Sequence, residues 1–439
     1  MNIIFKKTLT QKQSLIYCVG ILLLTILFHV FLINADFIGS DYVNYIQGAD
    51  SFFSENPYST HGDISVADNF RPPGYAIIIA FFKWFSNDYF LELIILFQSI
   101  LLVCMFFILV LILKKLSLIK SRTTFFILFL FLHPVLLSTA THIQAHFIEA
   151  FLHSIFIFYF ISFLKEKKIK DLILASIVLS LSFYLRPTFI YFTPIFFFII
   201  FLASKIKYSF YSLVFVLLVV SPWIIRNKTM LNSLEFSGLG SIALSYYAAE
   251  AIRHSQNISS EEAHLAILKN SDSFDYEIKK NDFELNRRLK DESIKIIFKN
   301  MDYFLLSYVR GIIRVFLMPH NIFKTKAGTT LNVDEFIKIL KSNPKQILNN
   351  FNLYFVILYI IPYIINFFLI YGIIYVFSKM KYFFYKYDHI FTFLTSFFLY
   401  GILISGPINR SQYMISYLVI LIIFSVLRQE HQLKKFSNE

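Results

Sequence analysis

The sequence predicts an all-α polytopic membrane protein of about ten transmembrane helices, with interfacial helices and a small helical domain on the outer face. Three observations predict it. Hydrophobic residues make up 57% of the 439 positions and aromatic residues 19%, more than a soluble domain can bury. Apolar runs approach the ~20 residues needed to cross a hydrocarbon core. Basic residues gather in alternate short loops, the mark of cytoplasmic connections.

The runs fall at 15–33, 89–113, 123–140, 147–164, 172–185, 189–203, 208–225, 351–377, 390–404 and 413–427. The basic segment 1–13 leads into a long span without a small-residue cleavage pattern, so the first span reads as retained. The fifth and sixth runs are short and divided by Arg186-Pro187, which reads as a tight hairpin. Lys6, Lys7 and Lys12 precede span one; Lys114, Lys115, Lys120 and Arg122 follow span two; Lys165, Lys167, Lys168 and Lys170 follow span four. Lys205 and Lys207, then Lys379, Lys381 and Lys386, then Arg428, Lys434 and Lys435 continue the alternation. Both termini are therefore expected in the cytoplasm. The same parity keeps 74–85 and 303–317 from crossing, and they read as interfacial or re-entrant outer helices.

The chain divides on this reading into a transmembrane module 1–225 with a first outer loop at 34–72, an outer helical segment 226–350, and C-terminal transmembrane helices 351–439. Helix-like stretches at 261–270 and 284–299 suggest that the outer segment is mostly helical. The net charge of +13 follows from topology, so no nucleic-acid partner is expected. Cys18 and Cys104 lie in apolar runs and behave as small hydrophobes. No Walker loop, dinucleotide fingerprint or fixed-period repeat is present, which leaves ATP coupling without support.

Candidate chemistry gathers at the outer face. The first outer loop carries Asp36, Asp41, Asp50, Glu55, Asp63 and Asp68, then Arg71-Pro72-Pro73-Gly74-Tyr75. Outer loops are acidic simply because basic residues are retained inside, and Asp50, Glu55, Asp63 and Asp68 fit that explanation. Asp41 stands just past the first span, where a carboxylate could serve as a general base toward a lipid head group. The Arg-Pro-Pro-Gly-Tyr turn has two readings. Prolines suit a helix start and Arg71 snorkels, or a rigid turn aims a guanidinium and free amides at a phosphate. Pro222-Trp223-Ile224-Ile225-Arg226-Asn227 closes span seven on the same face. Glu149 begins span four and is expected to pair with Arg186 at the same level. His142 and His146 would share a helical face if the helix continues through both, but they lack a third ligand, so no metal site is assigned.

The chain resembles the C-type (GT-C) glycosyltransferase superfamily, close to the protein O-mannosyltransferase and lipid A aminoarabinose transferase group. The resemblance rests on Asp41-Tyr42 with Tyr45, the Arg71 to Tyr75 turn, His133-Pro134, Glu149, Leu185-Arg186-Pro187 and Pro222 to Asn227, which follow the family's order through the first half. Asn300 to Phe316 and Arg410-Ser411-Gln412-Tyr413 match more loosely. Many relatives carry an adjacent Asp-Glu pair in the first loop, whereas here Asp41 stands between Ser40 and Tyr42. The resemblance implies transfer of a sugar from a polyprenyl-phosphate donor to an acceptor hydroxyl, with Asp41 as general base and Arg71 and Arg226 on the donor phosphate. Tyr42, Tyr45, Tyr75, His142, His146, Glu149, Arg186, Asn227 and Arg410 are further site candidates. It implies no required cofactor, a glycan, lipid or protein acceptor among membrane lipids, and a bacterial inner membrane with a periplasmic active site in the cell envelope. Two other classes share this architecture. One is a polymerase or ligase of O-antigen type, with essential groups in late outer loops. The other is a flippase of lipid-linked sugars, with broken helices and mid-span charges.

Overall fold

The computed structural model of the chain describes residues 11–32, 40–60, 65–119, 123–270, 283–317, 360–407 and 411–438, and no strand occurs among them. The N-terminal part runs α1 (Gln11–Leu32), α2 (Ser40–Ser51), α3 (Gly74–Phe85), α4 (Phe90–Lys115), α5 (Thr123–Phe131), α6 (Pro134–Thr141), α7 (Ala145–Glu166), α8 (Ile169–Leu185), a 3₁₀ turn (Pro187–Phe192), α9 (Thr193–Ala203) and α10 (Ile206–Leu231). A four-helix group follows among the described residues: α11 (Leu239–Gln256), α12 (Ser260–Asn270), α13 (Phe283–Lys299) and α14 (Met301–Leu317). The C-terminal part holds α15 (Ile361–Ser378), α16 (Met380–Tyr387), α17 (His389–Ser405), a 3₁₀ turn (Ser411–Met414) and α18 (Ile415–Asn438).

Helices α4, α7, α10 and α15 are each long and apolar enough to cross a membrane, and α5 with α6 would make a fifth crossing if the bent pair is one span. Shorter apolar helices cover Leu15–Leu27, Gly74–Phe85, Pro187–Ala203 and His389–Ser405. The all-helical membrane class is as the sequence predicts. Several expected spans take the form of these shorter pieces, and the stretch 351–359 of the eighth lies outside the described residues.

The run 123–140 differs from expectation. It is two helices meeting at 55°. Pro134 at the start of α6 has no N–H to continue the ladder, and the His133 imidazole caps the new helix by accepting from the Val135 N–H at 3.1 Å. Nε2 of the same ring meets Asn366 Oδ1 at 3.1 Å, which ties the break to α15. Gln98 on α4 then caps the other end, donating to the carbonyls of Ala140 and His142 at 2.9 and 3.0 Å. The break is a built feature, held by polar contacts inside the bundle.

Helix α18 is the centre of the bundle. From Ile415 to Leu427 its side chains are buried, and it packs against α15, α7, α17 and α5. Lipid is as apolar as leucine, so burial alone does not draw membrane helices together; close packing and interhelical polar contacts do. Phe156, Phe160, Phe189, Phe196, Phe393 and Phe397 meet edge-on or tilted around α7 and α17. Ser176 and Ser212 link α8 to α10 at 2.6 Å. A close backbone approach joins α15 to α18, where a Cβ on Gly372 would lie 2.6 Å from Ser425 Oγ and 2.8 Å from its Cα.

The group α11–α14 has its own small core, with Ala248, Ala249 and Ile252 of α11 against Ala263 and Ile267 of α12 and Leu289 of α13. The small residues of α11 let two helices close on it. Helix α14 then returns the chain to α15 and α17.

Gly372→Val should lower thermal stability through overpacking by about 1–3 kcal/mol, read as a lower unfolding midpoint of the purified chain. A neighbouring lipid-facing change such as Ile374→Val, at a position 61% exposed, should leave the midpoint nearly unmoved.

Candidate functional site

The Arg71 to Tyr75 turn enters α3 with Pro73 as the residue before the helix and the Ile77 N–H donating to the Pro73 carbonyl at 2.8 Å. Gly74 is required by space. A Cβ there would stand 2.6 Å from the carbonyl oxygen of Tyr184, where α8 ends against α3. Tyr75 turns inward, fully buried, and donates to Gln98 Oε1 at 3.1 Å.

Arg71 is only 9% exposed. Its Nε donates to Asn44 Oδ1 at 3.3 Å and its Nη1 to the Tyr45 hydroxyl at 3.5 Å, while the guanidinium lies over the Tyr45 ring at 5.0 Å. Asn44 and Tyr45 belong to α2, and Asn44 is itself fixed by donating to the Thr60 carbonyl at 2.9 Å. Asp41 is placed by its backbone in the first turn of α2, three and four residues before Asn44 and Tyr45, spacings that share a helix side. The Asp41 side chain lies outside the described residues, as do Asp36, Asp63 and Arg410.

Between α2 and the turn runs an irregular loop, and two side chains satisfy its backbone. Asp68, read from sequence as an ordinary outer-loop acid, is 1% exposed. Its carboxylate accepts from Ser59 Oγ at 3.1 Å, the Thr60 N–H at 2.6 Å, Thr60 Oγ1 at 3.0 Å and the Phe70 N–H at 3.0 Å. The last of these is an Asx turn, and an Asp two residues ahead of an aromatic at a rigid turn is the signal by which it could have been found. Arg226 performs the reverse task. Nη1 donates to the Asp68 carbonyl at 2.6 Å and to Asn227 Oδ1 at 3.0 Å, and Nη2 donates to the Tyr58 carbonyl at 2.8 Å. The guanidinium also lies over the rings of Trp223, at 4.8 Å, and Tyr58, at 5.8 Å.

Trp223 is an interior residue, 6% exposed, with its indole N–H donating to the Phe236 carbonyl at 2.8 Å. Asn227 and Asn69 both donate to the Glu235 carbonyl, at 2.9 and 3.2 Å. Together these bonds dock the segment before α3 on the end of α10. Tyr58 completes the arrangement by donating to the Arg71 carbonyl at 3.2 Å, and burial, aided by nearby Asp68, pushes its phenol well above the usual range so that it stays a donor. Tyr42 is half-buried on α2.

A second polar group lies deeper. Glu149 is fully buried and accepts from Arg186 Nη1 at 3.3 Å, Thr188 Oγ1 at 3.4 Å and Ser416 Oγ at 3.2 Å, so the pair expected from sequence is present. It ties α7, the 3₁₀ turn after α8, and α18. The Arg186 guanidinium lies 4.9 Å over the Tyr413 ring, which His146 approaches at 5.7 Å.

His142 and His146 do not share a helix face. Helix α6 stops at Thr141, His142 and Gln144 are extended, and α7 begins afresh at Ala145. His142 Nδ1 instead meets the Ser138 carbonyl at 2.6 Å. Among the described residues no three His, Cys, Asp or Glu side chains gather as a metal site.

No family model and no curated sequence matches the chain. Among solved structures it is similar to the archaeal oligosaccharyltransferase AglB from Archaeoglobus fulgidus, in complex with an inhibitory peptide and a dolichol-phosphate, with a TM-score of 0.53 and 13% identity. The match covers 98% of this chain and 51% of that one, so this chain spans about half the length of its neighbour. At that identity the likeness is one of fold.

Asp68→Ala should leave several buried donors without acceptors, at about 1–3 kcal/mol for each group that water does not reach. Faster proteolysis of the loop between α2 and α3 would report it, and unchanged protection would remove Asp68 from the support of Arg71.

Proposed function

We propose that the chain is a glycosyltransferase that moves a sugar from a polyprenyl-phosphate donor to an acceptor hydroxyl on the outer face of the membrane. The carrying observation is the convergence of Arg71 on the α2 residues Asn44 and Tyr45, one turn from Asp41. A fold shared with an oligosaccharyltransferase solved with a dolichol-phosphate supports the same class of donor. The sequence resemblance and the alternation of basic loops support a ten-span inner-membrane topology with this loop outside.

The chemistry needs two things. As the acceptor oxygen attacks the anomeric carbon, its proton passes to the Asp41 carboxylate. The bond from that carbon to the phosphate oxygen breaks, and the phosphate departs with the electron pair. Arg71 meets the growing charge by charge-assisted hydrogen bonds in a site already low in water. Its contacts to Asn44 and Tyr45 hold the guanidinium in place before the donor arrives, so no reorganisation is needed as charge develops.

Arg226, which the resemblance assigns to the donor phosphate, acts on this reading through the loop. Three of its donations are taken by Asp68, Asn227 and Tyr58, and it positions the segment from which Arg71 emerges. The Glu149–Arg186 pair serves as a joint between helices beside the site. Acceptor choice belongs to the outer segment 226–350.

Asp41→Asn keeps shape and removes basicity, and should lower turnover by roughly 10²–10⁴-fold with donor binding retained. Release of polyprenyl phosphate from a panel of polyprenyl-phosphate sugars is the measurement, and near-normal release would sink the assignment. Arg71→Lys should restore only part of what Arg71→Ala loses, since lysine lacks the planar fork; equal activity of the two would place Arg71 outside the site.

A further inference from the structure

Where α11 crosses α14, the group α11–α14 carries a surplus of hydrogen-bond donors. His254 on α11 has Arg253 Nη2 3.0 Å from its Nε2 and Arg310 Nη1, from α14, 3.2 Å from its Nδ1. A neutral imidazole has one acceptor nitrogen and one N–H. Only one of these contacts is therefore a hydrogen bond, and the other sets two donors against each other. Glu250 supplies the nearby negative charge, and Arg253 already takes it at 2.7 and 3.1 Å, both bonds falling on the same carboxylate oxygen.

The charged groups that act on the ring come from both helices, Arg253 and Glu250 on α11 and Arg310 and Arg314 on α14. Among the described residues that act on the ring, three guanidiniums thus face one carboxylate. Burial first, then the arginines, hold the imidazole below its usual range, so the ring stays neutral and the donor conflict persists. Basic residues are disfavoured on the outer side of a membrane protein, so the cluster runs against the trend that orders the rest of the chain.

We propose that the α11–α14 crossing binds a doubly charged oxyanion, the phosphate monoester group of a molecule presented on the outer face. Such an anion accepts from Arg310, Arg314 and the free edge of Arg253. It also turns the opposed His254 contact into two donors sharing one acceptor, and the ring takes up a proton as it binds. A zwitterionic phosphodiester cannot balance this charge. Helix α14 exposes Leu305, Leu306, Val309 and Ile313 along its length, which suits a helix resting on lipid and brings membrane-borne phosphate within reach. The inference goes beyond sugar transfer and depends on that reading only for the outer location of the segment.

The test uses the full chain in phosphatidylcholine nanodiscs, with no sugar donor present. Inorganic phosphate is followed by equilibrium dialysis and short-chain phosphatidic acid by native mass spectrometry, with short-chain phosphatidylcholine as control. Binding of both phosphates supports a site for the anion whatever carries it; binding of phosphatidic acid alone supports a lipid source. In either case Arg310→Ala and Arg314→Ala should each weaken binding about tenfold, the loss of one charge-assisted bond. Sulfate, whose charge is constant, should bind more tightly near pH 5.5 than near pH 7.5, and His254→Gln should flatten that difference. Failure of both phosphates to bind, or wild-type binding by both arginine variants, overturns the proposal. Neither result bears on Asp41 or Arg71, whose variants are read by polyprenyl-phosphate release.

Discussion

A loop without regular structure must find partners for the backbone groups it buries, and here one anion and one cation take a large share of the task. Asp68 collects the donors of residues 59, 60 and 70, while Arg226 collects the carbonyls of residues 58 and 68. The two side chains never form a direct ion pair among the bonds described; they are coupled through the chain between them. Buried backbone groups left unmatched would each be costly, so the position of Arg71 and Tyr75 rests on this division. The end of α10 thereby sets the geometry of a turn more than 150 residues earlier in sequence, as the 158-residue separation of Arg226 and Asp68 records.

The deeper polar group follows a different logic. Glu149 and Arg186 lie where an isolated charge would be expensive, and Thr188 and Ser416 share the remaining oxygen capacity. A buried pair of this kind is weak evidence of net stability, since desolvation offsets much of the attraction. Its effect is to fix which helix ends meet. Because α18 reaches the pair through Ser416, the central helix is registered against α7 by a polar contact, in a core made largely of apolar side chains.

Much of this was legible in the sequence. Apolar runs and lysine spacing report a membrane fold because lipid leaves few alternatives, and the Glu149–Arg186 pair was readable because charges at one depth must find each other. The 3₁₀ turn at Pro187 falls where Arg186-Pro187 interrupts the pattern. What sequence could not show was partnership between distant segments. Asp68 looked like one acid among six, and only the fold brings Thr60 and Phe70 around it. Trp223 looked like an interfacial anchor, yet Phe236 draws it inside, while Trp84 is 71% exposed. His142 and His146 had helical spacing but no continuous helix, because extended backbone at 142 and 144 breaks the register.

The enclosure of α18 has a consequence for how the protein is assembled. Helix α18, buried against α5, α7, α15 and α17, follows all of them in the chain, whereas synthesis proceeds from the other end at about 5–20 residues per second. Until α18 is made, the faces of α5, α7, α15 and α17 that it covers lack that partner, and Glu149 lacks the Ser416 hydroxyl. Lipid tails are as apolar as the residues on those faces. Docking of α18 is then a displacement, in which a polypeptide helix takes the place of acyl chains.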